Sequence, residues 1–422
     1  MNNPIFLYID PSTGSMLFAI LIGIFSAAVY MVKTWFVKLR FKFTSGGKVE
    51  DMDQKIPIAI FADDKRYWTV FKPVCEEFEK RGIDIVYMTA SPDDPALNNE
   101  FSHIKAEFIG EGNRAFARLN FMKAKILIAT TPGLDVYQWK RSKDVDYYIH
   151  MLHACDGVLS YRMFGLDYYD AVLVSGQTHI DDLRKIEKLR GLPQKDACIV
   201  GIPFMDKMAE RLSKYREENG DDKDCKDGNV TVLLAPSWGP SSILNKYGEE
   251  FIQNLIATGY HIIIRPHPQS FTSEKSLMDS LMRKFPANEM LEWNRDNDNF
   301  DVLNRSDLLI SDFSSVTYDF TLVYDKPLIY ADTEFDRGPY DAWWLPEQPF
   351  WTFTAMERVG MKLSKDNFAN IKDMIDECLT STAYARGRDE VRSEAWAYPG
   401  EGSARAVDYI MAKYRELSEK SE

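Results

Sequence analysis

Continuous apolar runs of three to seven residues, separated by stretches of helical periodicity, recur along this chain and leave few folds open to it. Residues 56–61 (IPIAIF) form the first run, and 66–82 behind it has helical character. The pattern continues with runs at 83–88, 125–130, 147–152, 170–176 and 197–203, and helices near 113–123 and 178–190. It restarts with runs at 230–236, 261–266, 308–310 and 327–331, interleaved with helices at 247–258, 273–284 and 314–324. Residues 366–418 read as helical throughout. A strand buried on both faces shows no polar alternation, so this pattern means parallel sheets covered by helices on both sides. At 422 residues the chain is too long for one core. The fold class expected is α/β, with two Rossmann-like doubly wound domains facing a cleft and ligands bound outside the carboxyl ends of the strands.

Residues 213–229 (SKYREENGDDKDCKDGN) are polar, charged and aperiodic, and read as the linker between the halves. The expected domains are therefore 48–212, then 230–385, with 386–422 as closing helices. The segment 1–47 stands apart. Residues 16–32 (MLFAILIGIFSAAVYMV) carry no charge, and Lys33, Lys38, Arg40 and Lys42 crowd their C-terminal side. As a helix the run spans about 25 Å, against about 30 Å of hydrocarbon. Its basic residues follow the apolar run, the reverse of a secretory signal peptide. The expectation is an N-terminal apolar helix serving as a single-pass or peripheral membrane anchor, with the body in the cytoplasm.

Charge narrows the function. The net charge is −13, yet residues 1–50 hold five basic residues against Asp10 and Glu50, a net +3, which leaves −16 on the rest. An acidic body argues against nucleic acid as the main partner. The basic run at 33–42 suits anionic lipid headgroups. Five scattered cysteines without a CxxC pair fit a reducing compartment and no zinc site.

Candidate chemical residues fall at the expected strand ends. In residues 306–320 (SDLLISDFSSVTYDF), a strand leads through a polar loop into a helix. The free N–H groups of that helix start form an anion site, with Ser314 and Ser315 adding hydroxyls. Asp312 caps the helix or orients the loop, since a carboxylate repels phosphate. Residues 236–242 (PSWGPSS) place Ser237 beyond the first strand of the second half. Arg265 and His267, in RPHP, are cationic donors in a turn stiffened by two prolines. In the first half His153 opens a loop at a strand end, whereas His150 and His261 suit core positions.

The motifs RPHP and SDLLISDFSSVTYDFTLVYDKPLIYAD, with VLLAPSW and VGIPFMD, resemble the CDP-glycerol glycerophosphotransferase family, the enzymes that build teichoic acids and related phosphodiester polymers. The resemblance covers about residues 120–340. It implies a GT-B fold, with the donor nucleotide mainly on the C-terminal domain and the acceptor on the N-terminal one. It implies transfer of glycerol phosphate from CDP-glycerol to a hydroxyl of a cell-envelope polymer or lipid-linked glycan, with release of CMP. His153 would be the general base, with His267 as its catalytic partner, and Arg265, Ser314, Ser315, Asp312 and Ser237 would form the phosphate site. Asp156 is the nearest carboxylate able to orient His153. No DxD-type pair stands out, so neither a metal nor a cofactor is expected. The chain departs from the family where a His-Gly turn is replaced by His153-Ala154, and again at 336–344 (DRGPYDAWW). Two alternatives stay open: a GT-B glycosyltransferase using a UDP- or CMP-sugar, and a non-catalytic membrane-tethered module that binds nucleotide or polymer.

Overall fold

The computed structural model describes residues 55–161, 163–220, 230–296, 298–338, 345 and 350–420, together with Val32. From Ile56 onward the chain builds two parallel sheets within one compact unit. The first comprises β1 (Ile56–Ala62), β2 (Ile85–Thr89), β3 (Ile104–Phe108), β4 (Ala124–Ala129), β5 (Val145–Met151), β6 (Ala171–Val174) and β7 (Asp196–Ile199), in the order 3-2-1-4-5-6-7. The second comprises β8 (Thr231–Leu234), β9 (His261–Ile264), β10 (Leu291–Trp293), β11 (Leu308–Ser311), β12 (Leu328–Ala331) and β13 (Gly360–Leu363), in the order 10-9-8-11-12-13. Both orders reverse direction beside their first strand, between β1 and β4 and between β8 and β11. Such a reversal opens a crevice at the carboxyl ends of the two strands.

Alternate strand residues serve opposite faces. Ile58 and Ile60 face the helix Trp68–Lys80 and the last helix, Gly402–Glu419, through Phe71, Phe78, Ala406, Val407 and Ile410. Ala59 and Phe61 face Leu119 and Trp139 on the other side. In the second sheet Val232 and Leu234 pack on Phe251 and Ile252, while Leu233 packs on Met205 and Met208. Each such side chain contributes about 1.5–3 kcal/mol on burial.

The helix Pro203–Asn219 supplies Met205 and Met208 and takes in the first residues of the expected linker 213–229, of which 221–229 lie outside the described residues. Residues 213–219 are its last two turns. They project into solvent, so their composition shows no apolar stripe, and the i,i+4 pair of Glu210 with Lys214 at 2.6 Å supports them instead. Gly220, at φ +83°, ends the helix. Residues 366–418, expected to be helical throughout, are a short 3-10 helix, Lys365–Asn370, and three α-helices, Ile371–Thr380, Ala385–Ala395 and Gly402–Glu419, the last three separated by turns. The segment 394–402 crosses the ends of β6 and β7, where a Cβ on Gly176 would lie 1.9 Å from the Glu394 carbonyl oxygen. Among the described residues no helix is long and apolar enough to cross a membrane. The apolar run 16–32 lies outside them, Val32 excepted.

Candidate active site

Register brings the loops of the second sheet together. Ile264, Leu234 and Ile310 are paired across β9, β8 and β11, so these strands end level. At about 4.8 Å per strand, the loops bearing His267, Ser237 and Ser314 leave the same edge side by side. His267 accepts the Gln269 N–H on Nδ1 at 3.1 Å, which leaves its Nε2 to carry the hydrogen when the ring is neutral. Burial, with the charges of Arg66 and Arg265, lowers its pKa to about 4. Arg265 donates from Nη1 to the Asn294 side-chain oxygen at 2.6 Å. Ser314 and Ser315 are half-buried at the start of a short helix, Val316–Tyr318, which continues as a wider turn over Asp319–Val323. Ser315 sits at the cap position and makes no side-chain cap bond.

Asp312 orients the loop, the role read for it from the sequence, and Ser237 is one of its partners. The Asp312 carboxylate is fully buried and accepts the backbone N–H groups of Ser237 at 2.8 Å and Ile243 at 2.9 Å. It therefore shapes the turn after β8, and burial raises its pKa to about 6. Ser237 is itself buried, 6% exposed, with its N–H committed to Asp312.

The first sheet has its own level edge. Ala129 pairs with Phe61 and with His150, so the ends of β1, β4 and β5 are aligned. His153 Nδ1 lies 2.7 Å from the Thr130 hydroxyl, and its ring meets Tyr67 edge-on at 5.3 Å between centroids. Thr130 thus orients His153, in place of the Asp156 expected from sequence. Burial and Arg66 lower the His153 pKa to about 4. In the tautomer that donates Nδ1–H to Thr130, Nε2 keeps its lone pair for a proton. His150 is a core residue. It is fully buried, bonded through Nε2 to the Tyr161 hydroxyl at 3.1 Å, and packed edge-on against Tyr161 and Tyr169.

Sequence reasoning missed the residues after β1. Asp63 accepts the Thr131 hydroxyl at 2.8 Å, inside the crevice between β1 and β4, and its pKa is raised by burial. Arg66 is held by Asp64 through Nε at 2.9 Å and is exposed. Its charge acts on His153 of the first half and on His267 of the second, so it stands within electrostatic reach of both. Asp319 was also missed. Burial raises its carboxyl to about 7, with Asp156 of the first half adding to the shift. The available signal was position alone: Asp63 and Arg66 directly follow the first strand, and Asp319 follows Ser315 by one helical turn. Among the described residues no group of three metal-ligating side chains gathers.

Two doubly wound parallel sheets, with polar loops at the carboxyl edges of both, define a GT-B-like protein. Residues 165–343 match the model of the family described as CDP-Glycerol:Poly(glycerophosphate) glycerophosphotransferase. The fold is similar to the wall teichoic acid polymerase TagF, with a TM-score of 0.59 and 15% identity over 95% of this chain and 99% of that one. A TagF structure soaked with CDPG gives a TM-score of 0.58 at 15% identity, covering 91% of this chain and 98% of that one. The UDP-GlcNAc 2-epimerase of Methanocaldococcus jannaschii, in complex with UDP-GlcNAc and UDP, has a TM-score of 0.52 at 13% identity, over 84% and 99% of the two chains. No curated protein sequence matches the chain.

Proposed function

We propose that this protein transfers glycerol phosphate from CDP-glycerol to a hydroxyl of a cell-envelope polymer or lipid-linked glycan and releases CMP. The observation that carries this is a histidine at the carboxyl edge of each sheet, each with its Nδ1 held by a hydrogen bond. His153 is oriented through Nδ1 by Thr130, and His267 is oriented through Nδ1 by the Gln269 N–H. With Nδ1–H donated to Thr130, His153 accepts a proton at Nε2, while His267 donates a hydrogen bond from its Nε2.

The acceptor oxygen attacks the β-phosphorus, a new P–O bond forms, and the bond from that phosphorus to the bridging oxygen breaks. The hydroxyl proton passes to His153 Nε2. The bridging oxygen leaves with CMP. His267 Nε2–H, Arg265, Ser314, Ser315 and the backbone N–H groups at the helix start offset the charge on the diphosphate and on CMP. No step calls for a metal or a cofactor. The apolar run 16–32 and its basic flank support a reaction at the cytoplasmic membrane face. Deleting residues 1–45 should then move a folded protein from the membrane to the soluble fraction, and a full-length protein soluble without detergent would overturn the placement.

The test of the chemistry is a donor panel of CDP-glycerol, CDP-ribitol, UDP-sugars and CMP-sugars, scored by the nucleotide released. CMP from CDP-glycerol is the expected outcome. UDP from a UDP-sugar, or CMP from a CMP-sugar alone, would make the protein a glycosyltransferase. Binding without release from any donor would make it a binding module.

A further inference from the structure

The two halves of the site are tied together behind the reacting face. Gly157, four residues past His153, donates its backbone N–H to the Thr352 hydroxyl at 3.1 Å. The carbonyl of the same Thr352 accepts the Tyr318 hydroxyl at 2.7 Å. Tyr318 lies three residues past Ser315, at the end of the short helix that Ser315 opens. All three residues are buried, Thr352 being 6% exposed and Tyr318 1%. Trp351 stacks on Tyr318 with ring centroids 5.5 Å apart, and its indole N–H donates to Glu394 at 2.8 Å. Glu394 also receives both terminal guanidinium nitrogens of Arg358, at 2.6 and 2.7 Å, so the Trp351–Thr352 turn is anchored.

The His153 loop is held equally firmly. His179 Nε2 lies 3.2 Å from the carbonyl oxygens of both Cys155 and Asp156, and its Nδ1 lies 3.2 Å from the Ser175 hydroxyl. A Cβ on Gly157 would approach Asp182 to 3.2 Å and the Thr352 hydroxyl to 3.3 Å, so a larger residue there would push on both side chains.

We propose that Thr352 is a positioning residue, whose hydroxyl and carbonyl together set the His153 loop against the helix that follows Ser314 and Ser315. The spacing between base and bound phosphate is then fixed by two buried hydrogen bonds to one residue. This rests on the transferase assignment for its kinetic consequence and on geometry alone for the tie. Removing the hydroxyl deletes its bond to the Gly157 N–H, and the loop loses that restraint and shifts. A small shift of a base matters for rate far more than for ground-state binding of a nucleotide held by the other half.

The experiment compares full-length Thr352→Val, Thr352→Ser and Tyr318→Phe with the wild type. Three quantities are read: hydrogen exchange over residues 153–158, calorimetric affinity for CMP, and kcat for CMP release from CDP-glycerol. Thr352→Val should speed exchange by about tenfold, the loss of one hydrogen bond. It should lower kcat by about 10- to 100-fold and leave CMP affinity within about twofold. Thr352→Ser should restore exchange and kcat. Tyr318→Phe should lower kcat in the same direction, and it carries the test if Thr352→Val does not fold. Unchanged exchange in Thr352→Val overturns the tie. Faster exchange with unchanged kcat overturns the positioning role, as does parallel loss of kcat and CMP affinity. If the wild-type protein releases no CMP from CDP-glycerol, the donor assignment falls, and exchange alone decides the tie.

Discussion

Thr130 and His153 meet hydroxyl to Nδ1 at 2.7 Å, although 23 residues separate them in the chain. The contact exists because β4 and β5 are adjacent and end level. Thr130→Val keeps the shape of the side chain and removes the oxygen. The ring then loses the bond that fixes both its rotation and its tautomer, a loss of about 0.5–1.5 kcal/mol. Turnover should fall by about tenfold with CMP affinity unchanged by calorimetry, and Thr130→Ser should recover most of it. Wild-type turnover in Thr130→Val would mean that His153 needs no such support.

The burial of His153 sets the pH behaviour. Its pKa lies at about 4 instead of 6.5, because burial and then Arg66 disfavour the imidazolium. The neutral, basic form therefore persists as pH falls through 6.5 and is lost only near 4. For the free enzyme, kcat/KM should stay flat through the window where an ordinary histidine titrates and bend down near pH 4. The kcat limb should lie higher, since a bound diphosphate favours the protonated ring. A kcat/KM limb at 6.5 that disappears in His153→Gln would contradict the burial.

Legibility in the sequence followed burial. The central strands of both sheets are continuous apolar runs and were readable as such. The strands β3, β10 and β13 were not, because IKAEF, LEW and GMKL are short and face solvent in part. His153, His267, Arg265, Ser314 and Ser315 could be picked out because each follows an obvious strand. Thr130, Asp63 and Arg66 also follow strands, yet a threonine or aspartate there looks the same as a turn or cap residue. Their roles depend on the alignment of β1, β4 and β5, which no local pattern encodes. Asp312 was legible as a residue and ambiguous as a role, since its partners at Ser237 and Ile243 lie 75 and 69 positions away.

Arg66 carries the next prediction. Its charge lowers the pKa of His153 on one side and of His267 on the other. In Arg66→Gln both imidazoles should titrate at higher pH, visible as upward-shifted midpoints of their ring proton resonances in NMR. Turnover should fall by about 10- to 100-fold if the guanidinium also meets the diphosphate. A shift confined to one histidine would place Arg66 outside the shared space.

Asp312 tests the architecture of the donor half. Its two carboxylate oxygens receive N–H groups from Ser237 and Ile243 in a site closed to solvent. Asn at this position offers one oxygen, so one of the two N–H groups faces an amide NH2 and loses its partner. The cost is about 1–3 kcal/mol, measurable by urea unfolding. The pH dependence supplies a second signature. Burial raises the Asp312 pKa from 3.8 to about 6. Between those values the folded state holds a proton that the unfolded chain has released. The associated stabilisation is present below pH 3.8 and is lost as pH rises through about 6, a change of about 3 kcal/mol. Asp312→Asn has no such titration, so its stability difference from the wild type should shrink as pH rises from 4 to 7. A difference that is constant across that range would show that the carboxyl ionises as readily in the fold as in water.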